Sequence, residues 1–151
     1  MLLTGRYLLI QVTVVALMDE TMIFKVPKSW PVFVLEDAGD RIAWFRRQIP
    51  HAVIATSCDE ALRILSTREF KIVFLDHDLG FLDAAYPDRL HGNGKEVARY
   101  LARTAFPGVV VIHSKHEAGA NAMKVHLPQA SLAPFGTFEI ELSEIFALEP
   151  R

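Results

Sequence analysis

Residues 72–78 read Ile-Val-Phe-Leu-Asp-His-Asp: four consecutive apolar residues that run without a break into two acids flanking an imidazole. A strand wetted on one face alternates apolar and polar residues. A run apolar at every position instead fits a strand covered on both faces, as in a parallel sheet. The same construction occurs twice more, where Val32-Phe33-Val34-Leu35 runs into Glu36-Asp37 and Val109-Val110-Val111-Ile112 into His113-Ser114. Weaker fourth and fifth runs lie at Ala52–Ala55 and Ala130–Ala133.

Helical patterns fill the gaps between these runs. Ile42, Trp44 and Phe45 mark a first apolar stripe. Ser57-Cys58-Asp59-Glu60 has the form of a capping box ahead of Ala61, Leu62 and Leu65. Asn93 is placed to cap a third helix with Val97, Leu101 and Thr104 on its inner face, and a fourth is predicted over 117–126. Strands alternating with helices of about ten residues predict right-handed βαβ units in an α/β, doubly wound, five-stranded parallel sheet with helix layers on both faces. The pattern from Phe138 to Leu148 is compatible with a last helix.

Composition bounds the rest. The chain has 151 residues, 51% hydrophobic and 23% charged, with a net charge of −2. That apolar content excludes disorder, and the charge excludes a nucleic-acid binder working through a broad basic face. The lone Cys58 excludes a disulfide framework and fits a cytoplasmic protein. The regular pattern defines a single domain over 31–151, preceded by an N-terminal extension over 1–30. Within that extension, Leu8–Leu17 is apolar but shorter than the roughly 20 residues of a membrane span. It reads as an extra strand or arm, as a start-site artefact upstream of Met18 or Met22, or as a targeting segment.

Ligands bind an open parallel sheet outside the carboxyl ends of its strands. Glu36, Asp37, Asp76 and Asp78, together with His77, His113 and Ser114, are therefore expected to converge on one edge. Clustered carboxylates repel, so the site must raise their pKa values or hold a cation. Oxygen ligands favour Mg²⁺ or Mn²⁺, while the adjoining imidazoles leave Zn²⁺ open. A divalent ion beside a hydroxyl and histidines suits phosphate chemistry, with His77 or His113 moving protons and Ser114 orienting a phosphoryl oxygen. His116 is a third candidate imidazole. Asn93 and Gly94 stand at a helix start, where backbone N–H groups can meet a phosphate. Each residue also has a plain structural reading: acids cap helices, histidines are satisfied in cores, and Asn-Gly makes turns.

The acidic pair after the first strand, the Asp after the third and the Ser after the fourth resemble the receiver domains of two-component response regulators. That resemblance covers about residues 31–136. It implies the strand order 2-1-3-4-5, a Mg²⁺ held by Glu36, Asp37 and Asp76, phosphorylation at Asp76, and Ser114 as the hydroxyl contacting the phosphoryl group. Ala133-Pro134-Phe135 falls where receivers carry Lys-Pro-Phe, so the lysine is missing.

A divergent branch matches more fully. Leu75-Asp76-His77-Asp78-Leu79-Gly80, then Gly92-Asn93-Gly94 before a helix, then His113-Ser114 with Gly119 and Met123 are similar to the cyclic-phosphate processing receiver-like domains. His116 departs from that group, which has Asn there. The resemblance implies a receiver fold that binds or hydrolyses a phosphate ester, such as a cyclic nucleotide phosphate, with a divalent cation as cofactor. The competing readings are a signalling receiver phosphorylated at Asp76 and a non-catalytic module that binds a nucleotide or a protein partner. The segment from Gly80 to Gly92 is long for a βα loop and reads either as a lid, with Arg89 for a phosphate and Tyr86 for a base, or as a solvated insertion.

Overall fold

The computed structural model describes residues 21–79 and 93–144. In chain order the elements are β1 (Met22–Pro27), β2 (Val32–Leu35), α1 (Gly39–Gln48), β3 (Val53–Ala55), α2 (Cys58–Thr67), β4 (Ile72–Leu75), α3 (Gly94–Arg103), β5 (Val109–Ile112), α4 (Glu117–His126), β6 (Ser131–Leu132) and β7 (Phe138–Ser143). Five strands form one sheet in the order β3-β2-β4-β5-β6, every neighbouring pair parallel. Counted along the five runs read from the sequence this is 2-1-3-4-5, so the doubly wound parallel sheet is borne out. Leu35, Leu75 and Ile112 stand in register at the carboxyl ends of β2, β4 and β5.

The unbroken apolar runs exist because both faces of the sheet are covered. Phe33, Leu35, Val73, Leu75, Val110 and Ile112 face one core, built with α2, α3 and α4. Val32, Val34, Ile72, Phe74 and Val111 face the other. The second face differs from expectation. Among the described residues only α1 covers it as a helix, through Phe45, and the rest of the cover is a two-stranded parallel sheet of β1 and β7. The helix expected from Phe138 onward is replaced, over Phe138–Ser143, by a strand whose Phe138 and Ile140 are buried while Glu139 and Glu141 are exposed. Phe138 stacks on Phe74 with centroids 6.1 Å apart, and Phe24 of β1 meets Phe138 edge-on at 5.5 Å. Phe24, Val26 and Trp30 are thus core residues of the same folded unit, although they precede Pro31. The apolar run Leu8–Leu17 lies outside the described residues.

Truncating Phe24 to Ala removes a ring that is 1% exposed, and is expected to cost about 3–5 kcal/mol in urea denaturation. A loss below about 0.5 kcal/mol, the scale of a surface substitution, would show that β1 contributes nothing to the core.

The helix starts follow local chemistry. Ser57 Oγ accepts the Glu60 N–H at 3.2 Å, and Asn93 Oδ1 accepts the Lys95 N–H at 2.9 Å. No side chain caps α1 at Ala38, but Glu36 Oε1 accepts the N–H groups of Asp37 and Ala38, both at 3.1 Å. A residue at the end of β2 therefore shapes the turn into α1. No helix among the described residues is long and apolar enough to cross a membrane.

Candidate functional site

The alternation of a strand continues for a residue or two beyond its last ladder bond, and it sorts the site into two halves. Leu35, Leu75 and Ile112 face α2–α4, so Glu36, Asp76 and His113, one position on, turn toward α1. There Glu36 Oε2 and His113 Nε2 lie 2.9 Å apart, both side chains 0% exposed. Glu36, Asp76 and His113 offer ligand atoms that all lie within 4.8 Å of one another. His113 packs edge-on to Phe45 at 5.1 Å, and its Nδ1 finds no partner among the described residues. This burial does not suit the proton-transfer role at a ligand expected for His113. Its place is behind Glu36, whose carboxylate it holds.

One position further on, the alternation returns His77 to the α4 side. Its ring lies against Gly119, where an added methyl group would stand 2.5 Å from Nδ1. His77 Nδ1 is 2.6 Å from Asp78 Oδ1, and His116 Nδ1 is 3.2 Å from the same oxygen. An oxygen that accepts from two ring nitrogens requires Nδ1–H in both rings. Asp78 therefore fixes both tautomers and leaves Nε2 of each imidazole as the atom that takes or gives a proton. The two rings sit 5.0 Å apart, nearly perpendicular. His77, Asp78 and His116 form the second group whose donor atoms come within 4.8 Å of one another.

Both halves border one shallow cavity of about 190 Å³. Glu36, Asp37, Asp76 and Asp78 supply its acidic lining, and Arg41, Lys115, Ser114 and His116 complete the polar wall. His77 and His113 do not line it, so of the three imidazoles His116 is the one that a ligand in this cavity meets. A larger cavity, about 560 Å³, lies under the amino ends of β2, β4 and β5 between Leu65, Phe70, Tyr100 and Phe106, away from every such cluster.

The electrostatics match the burial. Burial, then the charge of Glu36, push Asp76 up to about 6, against the opposing pull of His113, the His77 N–H and Arg41. Burial also pushes Glu36 up, but the hydrogen bond and charge of His113, the Ala38 N–H and Arg41 outweigh it and hold this carboxyl below its ordinary value. Asp78 is likewise pushed up by burial, yet lies below its ordinary value because His77 and His116 both donate to it. Arg41 reaches in from the first turn of α1, its Nη1 3.7 Å from Glu36 Oε2 and 4.0 Å from Asp76 Oδ2.

Other expected residues have structural work. Ser114 Oγ, at the cavity wall, accepts the His116 N–H at 3.1 Å. The Asn93 side chain caps α3, and the Gly94 N–H donates to the His77 carbonyl at 2.9 Å, which removes it from the donors expected to meet a phosphate. Gly94 has no Cβ because one would overlap the Asp76 carbonyl oxygen. Arg89 and the Gly80–Gly92 segment lie outside the described residues, apart from Asn93 that follows. Arg41 was not legible as a site residue. Its one signal is its position, four and five residues after the acidic pair and so one helical turn on.

An open parallel sheet in this order, with acids at the carboxyl ends of β2 and β4 and a hydroxyl after β5, is the architecture of a receiver domain. The chain belongs to the cyclic-phosphate processing receiver domain family, whose model matches residues 33–129. None of the curated proteins matches it. Among solved structures it is similar to a Burkholderia pseudomallei response regulator, with TM-score 0.55 and 16% identity over 68% of this chain and 58% of that one. That structure holds a phosphorylated aspartic acid, a calcium ion and citrate. The response regulator TrrA of Thermotoga maritima, in complex with Mg²⁺ and BeF, gives 0.54 and 13% over 70% and 88%. A CheY-like receiver from Methylobacillus flagellatus gives 0.52 and 19% over 72% and 87%. At these identities the likeness is one of fold.

Proposed function

We propose that the domain binds a divalent cation at Glu36, Asp37 and Asp76 and hydrolyses a phosphate ester placed against it, a cyclic phosphate being the best-fitting class. The observation that carries this reading is the Asp78 carboxylate, which lines the cavity with Asp76 and holds two imidazoles by Nδ1, one of them, His116, on the cavity wall. The acids fit a cation because burial and mutual repulsion raise Asp76, and Arg41 stands too far from either carboxylate to pair fully. Carboxylate oxygens in this number suit Mg²⁺ or Mn²⁺. The cation supplies charge neutralisation of phosphoryl oxygens and lowers the pKa of a coordinated water.

The chain's own residues divide the remaining work. Ring opening of a cyclic phosphate needs a proton removed from the attacking water and one delivered to the leaving oxygen. His116, on the cavity wall, would take the proton from the attacking water and return it to the leaving oxygen, its tautomer set by Asp78. His77 locks Asp78 from behind, and His113 does the same for Glu36, so these two imidazoles are positioning residues. Ser114 offers its hydroxyl proton to a phosphoryl oxygen while its Oγ accepts the His116 N–H.

His116→Ala is expected to lower kcat for a 2′,3′-cyclic nucleotide by about 10²–10³, measured by ³¹P NMR with Mg²⁺ or Mn²⁺, while cation binding persists. Turnover unchanged in that variant would overturn the assignment. A second reading has its own support, since Asp76 lines the cavity at the carboxyl end of β4 and the Burkholderia neighbour carries a phosphorylated aspartic acid. Acetyl phosphate with Mg²⁺ separates the two: a labile aspartyl phosphate at Asp76 without phosphoester turnover favours signalling through a protein partner.

A further inference from the structure

The cavity wall carries four carboxylates, Glu36, Asp37, Asp76 and Asp78, and two permanent cations, Arg41 and Lys115. Without a metal the acids outnumber the bases by two, and the cavity repels an anion. A bound divalent ion closes that gap. Arg41 is the base nearest the buried pair, yet 3.7 and 4.0 Å are longer than the roughly 2.7–2.9 Å of a charge-assisted hydrogen bond. Its guanidinium carbon lies over the Phe135 ring, 5.0 Å from the centroid, so the π face is what the protein grips. The side chain is 22% exposed and borders the cavity.

We propose that Arg41 is the anion-binding residue of this site, serving as counter-charge to Glu36 and Asp76 while the cation is absent and as phosphate ligand once it is present. This rests on the cation-and-phosphate reading given above. The physics is a competition for one position: a divalent ion placed at Glu36 and Asp76 displaces the weaker, distant charge of Arg41, and the freed fork of N–H donors meets a phosphoryl oxygen bidentately. Cation and phosphate then bind in a fixed order, with phosphate affinity dependent on the metal.

The signature is an opposite sign on the two ligands. Arg41→Gln removes a positive charge facing the metal, so Mn²⁺ binding to the full-length protein, followed by calorimetry, should tighten about three- to tenfold. Orthophosphate titrated into the Mn²⁺-loaded protein should bind at least about tenfold more weakly in the same variant. Arg41→Lys keeps the charge and loses the fork; it should leave Mn²⁺ affinity near wild type and give intermediate phosphate binding. A merely structural role would weaken both ligands together. If wild type binds Mn²⁺ and orthophosphate, any pattern in Arg41→Gln other than tighter cation and weaker anion overturns the role of Arg41 and leaves the site itself standing. If wild type binds neither, the cation-and-phosphate reading fails and this inference falls with it.

Discussion

Asp76→Asn is expected to make the cation-free protein more stable at neutral pH by about 3 kcal/mol, and to abolish its response to divalent metal. Asp76 titrates near 6 in the folded chain and at the ordinary value of 3.8 when unfolded. Between those values the folded state keeps a proton that the unfolded state releases, so stability falls as pH rises from about 4 to 6 and is level above. The amide carries no charge and escapes this penalty, yet its oxygen can still accept the His77 N–H that Asp76 Oδ1 now takes at 2.9 Å. In EDTA the two proteins should therefore match below pH 4 and separate above pH 6, the variant being the more stable. Added Mg²⁺ should raise the melting temperature of wild type alone, because a ligand that binds only the folded state stabilises it. Equal stability at pH 7 in EDTA would refute the buried-charge account of this site.

Gly94→Ala is expected to destabilise the fold by about 3 kcal/mol and to weaken cation binding at the proposed site with it. The new methyl group would overlap the carbonyl oxygen of Asp76 and stand 2.9 Å from Met123 Cε. The methionine is a flexible chain end and can move aside. The carbonyl belongs to the backbone that aims the Asp76 side chain, so either α3 withdraws or the end of β4 shifts. Pairing the change with Met123→Ala separates the causes, since relief at Met123 should recover little of the loss in urea denaturation. Full recovery would assign the tightness to the side chain and leave the Asp76 backbone out of it.

The residues of the candidate site were visible in the sequence because burial on both faces makes β2, β4 and β5 legible without a partner, and the acids stand where those runs stop. Their sorting was also encoded. Carrying the period-two alternation one residue past Leu35, Leu75 and Ile112 turns Glu36, Asp76 and His113 beneath α1, and another step sends His77 toward Gly119. Treating the strand ends as a single rim hid this, and gave His113 a proton-transfer role that its burial does not allow. Phe138-Glu139-Ile140-Glu141-Leu142 alternates cleanly as a half-exposed strand. Its partner β1 could not be inferred, because parallel pairing across most of the chain leaves no local trace. Arg41 stayed hidden for a related reason: a charged residue in a first helical turn reads as solvated until the rotation of α1 is known.

The pairing of β1 with β7 also sets a timetable. Lys28 and Glu144, joined at 2.8 Å beside that two-stranded sheet, are 116 positions apart in the chain. At about 5–20 residues per second, a ribosome makes the first of these strands some ten seconds before the last. Phe24 and Val26 must wait through that interval without their permanent cover, while the five-stranded sheet assembles behind them. The nascent chain thus presents an apolar strand early and covers it only when β7 has been made, so the emergence of β7 is the step that completes this face of the core.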